Sequence, residues 1–134
     1  MIGGKNMKLT YPALFHKEDG SLWAEFPDLE GCQTYGETID ETLKFAQEAL
    51  EGYALALLEN GEKLPPPSDI MTIKTDNNSF TSLVQADLSP YLKSSKAVKK
   101  TLTIPEWLNT QAVNQGINFS QILQDALITK LNLS

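Results

Sequence analysis

The sequence has 134 residues, of which 41% are hydrophobic and 21% are charged, and its formal net charge is −6. This composition is typical of one or at most two small folded domains, and it excludes a disordered or fibrous chain. No apolar run reaches the roughly 18 to 20 residues that a membrane span needs, and the start resembles no signal peptide. We therefore expect a cytoplasmic protein without membrane contact. Cys32 and His16 are the only residues of their types, which excludes an internal disulfide and a Cys/His metal cluster.

The charge is distributed unevenly along the chain. Residues 1–92 contain six Lys and fifteen acidic residues, a net charge of −9, whereas residues 93–134 contain five Lys and two acidic residues, a net charge of +3. Asymmetry of this kind indicates a basic module joined to an acidic domain. Because the chain contains no Arg, any nucleic-acid contacts would come from Lys and uncharged polar side chains.

The first apolar segments predict a β-hairpin. Apolar and aromatic runs at 8–15 and 22–26 flank Asp19-Gly20, which is a hairpin turn signal. Pro12 indicates that the first strand lies at a sheet edge or contains a bulge, because proline cannot donate to a ladder. Residues 1–7 are interpreted as a flexible leader or a cloning remnant.

A third short strand at 32–37 precedes the most regular helix of the chain. Thr38, with Glu41 three positions later, forms a capping box that starts this helix. Asn60-Gly61 and the three prolines from Pro65 onward end it. Its apolar positions recur at steps of three and four and are predicted to lie on the sheet: Ile39, Leu43, Ala46, Leu50, Tyr53, Ala54 and Leu57.

The remaining N-terminal segments complete an α+β domain. Residues 70–75 predict a short extended segment, and residues 81–88 predict a strand that returns to the sheet. Ser89-Pro90 is typical of the start of a short helix or turn. The polar, basic residues 93–98 are interpreted as a linker between a domain at 8–92 and a second domain at 99–134.

The C-terminal domain is predicted to contain a strand followed by two helices. The strand at 99–105 ends at Pro105, and the first helix at 106–115 ends before Gly116. Asn118 is the predicted N-cap of the second helix, with Gln121 in the capping-box position. The apolar positions predicted to be buried on this helix are Phe119, Ile122, Leu123, Ala126, Leu127 and Leu131.

A domain of under 40 residues is too small to bury a stable core without a disulfide, a metal or a partner. Two copies that pair their strands antiparallel around a twofold axis would satisfy the strand edges and stack four helices beneath a two-stranded ribbon. Such a ribbon fits the DNA major groove. The alternative interpretation is that this segment is an ordinary edge strand and that Asn118 is only a helix cap. The dimer core would contain Leu102, Ile104, Trp107, Ile122 and Leu123.

Strand alternation assigns the DNA-facing side chains of this ribbon. Lys99, Thr101 and Thr103 point away from the helices and are candidate base readers, with Lys100 as a neighbouring phosphate contact. The start of the second helix presents free N–H groups that suit a phosphate oxygen. The candidate residues at that position are Asn118, Phe119 and Ser120.

Two stretches resemble known families. KKTLTIPEWLNTQAVNQGINFSQILQDAL resembles a ribbon-helix-helix DNA-binding domain. FPDLEGCQTYGETIDETLKFAQEAL, followed by LPPPS, resembles the HicB-like antitoxins, and the order of the parts is that of HicB proteins with a ribbon-helix-helix tail. The usual family string has Pro where this chain has Glu30, and Ala is commoner where Thr42 stands. Neither difference falls on a recognised buried hallmark of the family, but Glu30 alters the turn that is expected to face the toxin.

The resemblance implies an antitoxin of a type II toxin–antitoxin pair. Its N-terminal domain would have a partial RNase H-like fold and would bind a small HicA-like toxin, an mRNA-cleaving ribonuclease. Its tail would bind the operator of its own operon as a homodimer or a higher oligomer. The implied partners are thus the toxin and operator double-stranded DNA. No cofactor or metal is implied, and no catalytic residue.

Charge supports the toxin interpretation independently, because a protein that binds RNA needs a basic surface that an acidic domain can attract. We expect Asp28 and Glu30, in the PDLEG turn, to face the toxin. The alternative is that they are solvated loop charges and that inhibition depends on apolar contacts elsewhere.

Two other functional classes remain as alternatives. A Mg²⁺-dependent nuclease would need converging carboxylates, for which Glu25, Asp28, Glu30 and Asp87 are the available residues. A stand-alone repressor with a ligand- or protein-binding N-terminal domain is the main alternative to an antitoxin.

The remaining reactive and aromatic side chains have structural interpretations. His16 is predicted to be an exposed hairpin residue, and Cys32 a small buried apolar one. The aromatic residues Trp23, Phe26 and Tyr53 are predicted to lie in the core.

Overall fold

A computed structural model describes residues 7–93 and 96–131, without the side chain of residue 93. The predicted leader up to residue 6 and residues 94 and 95 of the predicted linker lie outside the described residues. The chain divides into two compact units: Lys8–Leu88, and a second that comprises Met7 and the described residues from Ser89 onward. Every helix among residues 7–93 and 96–131 is too short or too polar to span a bilayer.

The first unit contains a four-stranded antiparallel sheet. Its strands are β1 (Lys8–Glu18), β2 (Ser21–Glu25), β3 (Gln33–Gly36) and β4 (Ser79–Asp87), in the order β3-β2-β1-β4. The β1–β2 turn has positive φ at both central residues, 50° at Asp19 and 80° at Gly20, as a type I′ hairpin requires. The predicted hairpin, third strand and returning strand are therefore confirmed.

Pro12 lies in an interior strand and not in an edge strand. β1 pairs with β4 in an unbroken register from Lys8↔Asp87 to His16↔Ser79, so the predicted bulge is also absent from this ladder. The ladder between β1 and β2 begins only at Leu14↔Glu25. At Pro12 the strand therefore has one neighbour, which is why a residue without an N–H is tolerated there.

The helix α1 (Ile39–Glu59) covers one face of the sheet. Thr38 is its N-cap, and its hydroxyl accepts from the Glu41 N–H at 3.1 Å, as predicted. The Glu41 carboxylate reaches back to the N–H of Glu37 instead of that of Thr38. At the other end Gly61 has a φ of +72°, and the N–H of Glu62 donates to the Leu57 carbonyl, which together form a Schellman stop.

The core lies between α1 and the sheet. Phe15 and Leu50 are fully buried, and each contributes about 2 to 3 kcal/mol through the removal of apolar surface from water. Phe15 also stacks on Phe80 of the neighbouring strand, with ring centroids 5.1 Å apart. The core cluster consists of Tyr11, Ala13, Phe15, Ala24, Phe26, Leu29, Cys32, Ala46, Leu50, Val84 and Ala86.

The α1 stripe is shifted from its predicted position. The buried residues of the helix are Thr42, Ala46, Leu50 and Ala54, whereas Ile39 is half-exposed. Thr42, where the family more often has Ala, is a buried position: its side chain is fully buried and its hydroxyl donates to the Thr38 carbonyl at 2.7 Å. A Cβ on Gly36 would stand only 2.9 Å from the Thr42 Cα, so β3 and the start of α1 approach as closely as glycine permits.

The connection between α1 and β4 contains a short 3-10 turn. Ile70–Thr72 forms this turn, and the Asp69 carboxylate accepts from the Met71 N–H at 2.9 Å. The prediction of an extended segment at 70–75 is therefore wrong for residues 70–72, whereas the backbone of Ile73 is extended. Asp69 at the start of the turn is a local capping signal that outweighs the β propensity of Ile70.

The second unit is helical. Its elements are α2 (Ser89–Lys93), α3 (Glu106–Asn114) and α4 (Phe119–Lys130), which confirms the predicted helices. Gly116 has a φ of +68° and ends α3 with the same hydrogen-bond pattern as Gly61. Met7, predicted to belong to the leader, is instead buried, and its N–H donates to the Ser89 hydroxyl at 3.0 Å.

Candidate interaction surfaces

The PDLEG turn holds the two acidic residues predicted to contact a toxin, and they differ in environment. The Asp28 carboxylate accepts the Ser68 N–H at 2.8 Å and also the Ser68 hydroxyl. Glu30 is exposed. Between them Leu29 is buried in the core and fixes the turn. The Asp28 carboxylate is therefore engaged in hydrogen bonds within the chain, whereas the Glu30 carboxylate is available to a partner.

The proline-rich segment after α1 is hydrogen-bonded to strand β1 and to the PDLEG turn. Besides the Asp28–Ser68 bonds, the Tyr11 hydroxyl donates to the Pro65 carbonyl. Burial raises the pKa of Tyr11, and the nearby Asp28 carboxylate raises it further, so this hydroxyl stays protonated and able to donate. No local signal predicts either tie, because 40 and 54 residues separate the partners.

The sheet surface opposite α1, which we call the open face, has no helix of the first unit on it and carries three adjacent rings. His16 of β1 is the register partner of Trp23 of β2, which in turn is the partner of Tyr35 of β3. The His16 and Trp23 rings stack with centroids 4.1 Å apart. The Tyr35 side chain is 68% exposed. We call His16, Trp23 and Tyr35 the aromatic row.

Two predictions fail at this row. Trp23 lies on the open face and not in the core, whereas Phe26 is buried and Tyr53 packs against the core as predicted. His16 is not a freely exposed hairpin residue, because its side chain is only 24% exposed and its Nε2 lies 2.7 Å from Glu25 Oε2. The alternation of LWAEF contained the signal: Glu25 shares a face with Trp23, while Leu22, Ala24 and Phe26 share the other.

The acidic residues of the first unit lie largely at its surface. The outer side of α1 carries the exposed residues Asp40, Glu41, Glu48 and Glu59, against the single Lys44. At the hairpin end of the sheet a cleft is lined by Glu18, Asp19 and Glu37, together with Lys17 and neutral residues. Both surfaces would attract a cationic partner.

The residues predicted to contact DNA are exposed. Lys99, Lys100, Thr101 and Thr103 lie in a segment without regular secondary structure, and the predicted strand at 99–105 is not formed in the single chain. The physical reason is that a ladder needs a second strand, and the described part of this unit offers none. Asn118 caps α4 as predicted, with its side chain accepting from the Gln121 N–H at 3.0 Å. Phe119 and Ser120 beside it are exposed.

The apolar residues predicted to form a dimer core are largely uncovered in the single chain. Leu102 is 59% exposed, Ile104 46%, Trp107 68% and Ile122 54%, and Leu123 is partly buried. The predicted buried stripe of α4 is therefore not buried within one chain, and Ile128 is the buried residue of this helix. Few soluble proteins leave so many large apolar side chains uncovered on so small a unit.

The geometry gives no support to the metal-dependent or cysteine-based chemistries. Among residues 7–93 and 96–131, no group of three His, Cys, Asp or Glu side chains is placed to hold a metal ion. The carboxylates of Glu25 and Asp28 already have hydrogen-bond partners, which are His16 and Ser68. Cys32 is buried as predicted, and this burial raises the pKa of its thiol to about 11, so the nucleophilic thiolate is disfavoured.

These features define a mixed α+β protein: an antiparallel sheet with one face covered by α1, an acidic surface, and a second, small helical unit. A family model described as the HicB-like antitoxin of bacterial toxin–antitoxin systems matches residues 11–127. The chain therefore belongs to the HicB-like antitoxins.

Solved structures agree with this family. A toxin–antitoxin complex from Streptococcus pneumoniae contains a chain 36% identical to this one, with a TM-score of 0.59 over 92% of this chain and 99% of that chain. The antitoxin HicB of Burkholderia pseudomallei is 26% identical, with a TM-score of 0.57 over 90% of this chain and 96% of its own. A HicA3 and HicB3 toxin–antitoxin complex matches at 29% identity and a TM-score of 0.51, over 59% of this chain and 99% of that chain.

Proposed function

We propose that this antitoxin binds and inhibits a HicA-like mRNA-cleaving ribonuclease toxin, and that it represses its own operon by binding operator DNA. Family membership is the observation that carries the proposal, and similar chains occur in two solved toxin–antitoxin complexes. The division of labour follows the charge: the acidic domain at 8–92, with a partial RNase H-like fold, binds the toxin, and residues 99–134, which share a net charge of +3 with the linker, bind DNA. Residues 93–98 link the two, and the chain acts without catalysis.

The exposed apolar residues of the tail support dimerisation. In a ribbon-helix-helix dimer, the segment around Leu102 and Ile104 pairs with its counterpart, and Trp107, Ile122 and Leu123 are buried between the copies. Full burial of a Leu, Ile or Phe side chain is worth about 1.5 to 3 kcal/mol, so several such residues from each copy supply a stable interface. Pairing also supplies the second strand that a single copy lacks.

The dimer presents Thr101 and Thr103 on a two-stranded ribbon, where their hydroxyls and methyls read base edges in the major groove. Lys99 and Lys100 contact phosphates. The N–H groups at the start of α4, next to Asn118, Phe119 and Ser120, hold a further phosphate on each copy. The Asn118 cap, which fixes the start of α4 in the single chain, supports this assignment.

A gel-shift series on the DNA upstream of the gene tests the DNA-binding part. Thr101→Ala or Thr103→Ala should reduce discrimination between operator and random DNA, by about 1 to 3 kcal/mol for each base edge that is no longer read. Lys99→Ala should weaken binding to both DNAs and flatten the salt dependence. Deletion of residues 95–134 should abolish operator binding and leave toxin binding largely intact. Specific DNA binding by the truncated protein would refute the assignment of this role to the tail.

Co-purification with the product of the adjacent reading frame tests the toxin-binding part. The expected partner is a small basic protein whose RNA cleavage is suppressed by stoichiometric antitoxin. A chain that leaves RNA cleavage by that protein unchanged does not have the proposed function.

A further inference from the structure

The aromatic row is not needed for the core of its own domain. The hydrophobic cluster lies on the opposite side of the sheet, between the β-strands and α1. Tyr35 is nevertheless 68% exposed, next to Trp23 and the His16 ring stacked on it. Three rings side by side on adjacent strands form a flat stacking surface, because side chains at paired positions of a sheet share one face.

Carboxylates flank this row on both sides. Toward the hairpin turn, Glu18 is the next residue of β1 on the same face as His16, and the cleft at that end adds Asp19 and Glu37. In the other direction, Glu25 is the next residue of β2 on the same face as Trp23, and its carboxylate pairs with the His16 ring of the row itself. Lys17 alternates with these positions along β1 and belongs to the face toward α1, although it reaches the same cleft.

We propose that the open face receives the RNA-binding surface of the toxin, with the aromatic row in the place of stacked bases and Glu18 and Glu37 in the place of phosphates. The inference rests on the proposed function, since it names where and how the toxin is bound. A surface that binds RNA presents Lys or Arg for phosphates and planar groups for bases. The same groups pair with carboxylates and lie on Trp and Tyr rings through cation–π contacts.

RNA itself is a poor occupant of this face. An aromatic surface for single-stranded RNA needs a positively charged border that follows the phosphates, whereas this one has carboxylates on both sides. The outer side of α1 is also acidic, but its acidic residues have no exposed aromatic anchor among them. Exposed charges of that kind accelerate encounter and add little affinity, while buried aromatic anchors dominate protein interfaces.

The arrangement requires that toxin-bound antitoxin and RNA exclude each other. Inhibition then arises because the toxin cannot bind its substrate, and the toxin's catalytic residues need not be contacted. A non-cleavable RNA oligonucleotide should therefore compete with the antitoxin for the toxin, and saturating RNA should raise the apparent Kd of the protein complex in proportion to its concentration.

The test uses the full chain and a catalytically inactive form of the protein encoded by the adjacent reading frame. Tyr35→Thr keeps β propensity and removes the exposed ring, and it should raise the Kd at least about tenfold. Glu18→Lys should slow association severalfold and weaken its dependence on salt. The matched controls are Met71→Ala, an 86% exposed apolar residue of the same unit, and Glu48→Lys on the outer side of α1. Circular dichroism of each variant serves to check that it is folded.

Each outcome decides the inference. The inference is supported if the control variants bind the toxin with a Kd within about twofold of that of the unmodified chain, while Tyr35→Thr and Glu18→Lys bind clearly more weakly. If Tyr35→Thr and Glu18→Lys bind the toxin with the same affinity as the unmodified chain, the open face is not the toxin surface. The proposed function stands in that case, because the unmodified chain still binds. If the unmodified chain itself does not bind, the proposed function fails. Binding of a single-stranded RNA by the antitoxin alone, abolished in Tyr35→Thr, would instead assign the face to nucleic acid and overturn the inference.

Discussion

Replacement of Gly36 by alanine should destabilise the N-terminal unit strongly, although alanine is the smallest possible addition. The new Cβ would stand 2.3 Å from the Thr42 hydroxyl and 2.9 Å from both the Thr42 Cα and its backbone nitrogen. The hydroxyl can rotate, but it then loses its bond to the Thr38 carbonyl. The backbone atoms can retreat only if the start of α1 moves away from β3.

The cost follows from these two adjustments. Overpacking that forces a backbone shift costs about 1 to 3 kcal/mol, and the loss of a partly buried hydrogen bond adds about 1 kcal/mol. A total of about 2 to 4 kcal/mol corresponds to a decrease of roughly 10 to 20 °C in the Tm of a unit of this size. Thr42→Ala in the same chain removes the clash with the hydroxyl but not the two clashes with the backbone, so it should restore only part of the stability.

Thermal and urea unfolding followed by circular dichroism, at one fixed chain concentration, measure this effect. Gly52→Ala is the matched control, because Gly52 lies in α1 and an added Cβ there meets no atom within 4 Å. The same substitution should there stabilise the chain by about 1 kcal/mol through helix propensity. A Gly36→Ala chain as stable as the unmodified one would refute the close packing of β3 on α1.

Three further predictions concern single side chains. Cys32 should react with iodoacetamide at pH 9 about 50-fold more slowly in the folded chain than in urea, since burial raises its pKa to about 11. Because the folded state keeps the thiol proton to a higher pH than the unfolded state, the free energy of unfolding should fall as the pH rises from about 9 to 11. An unchanged alkylation rate would contradict this burial. Asp28→Ala should lower the free energy of unfolding by about 1 to 2 kcal/mol and expose residues 62–78 to proteolysis. Glu30→Ala, the control, should change neither. Equal proteolysis rates for the two variants would show that the Ser68 hydrogen bonds do not hold this segment. Thr38→Ala should cost about 1 kcal/mol in urea unfolding by removing the N-cap of α1, and Thr38→Ser, which keeps the hydroxyl, serves as its control.

Local signals in the sequence predict most of the secondary structure. Asp19-Gly20, Thr38 with Glu41, Asn60-Gly61 and Gly116 each determine a turn or a helix end within a few residues, and each is found where predicted. Two segments depart from the predictions. At Ile70–Thr72 the apolar residues favour an extended segment unless the capping signal of Asp69 is given more weight, and at 99–105 the predicted strand is not formed in the single chain.

The errors at the candidate site have a different origin. The tie between Asp28 and Ser68, the burial of Thr42 against Gly36 and the aromatic row all depend on residues that are distant in sequence or on strand register. Residue type alone places Trp23 in the core, whereas the hairpin turn fixes Trp23 as the partner of His16 on the open face. Register inferred from the turn would have placed the row; no local signal would have found the Ser68 tie.

The pairing of Lys8 with Asp87 has a practical consequence for engineering this protein. The first and last strands begin and end side by side, so a short peptide joining the two ends would permit circular permutation of the domain, with new termini in an exposed turn. The aromatic row starts at His16, eight residues along β1, which is about 27 Å away at the usual rise per residue of a strand. A fluorophore attached to the peptide that joins the two strand ends would therefore lie far from the surface that we assign to the toxin.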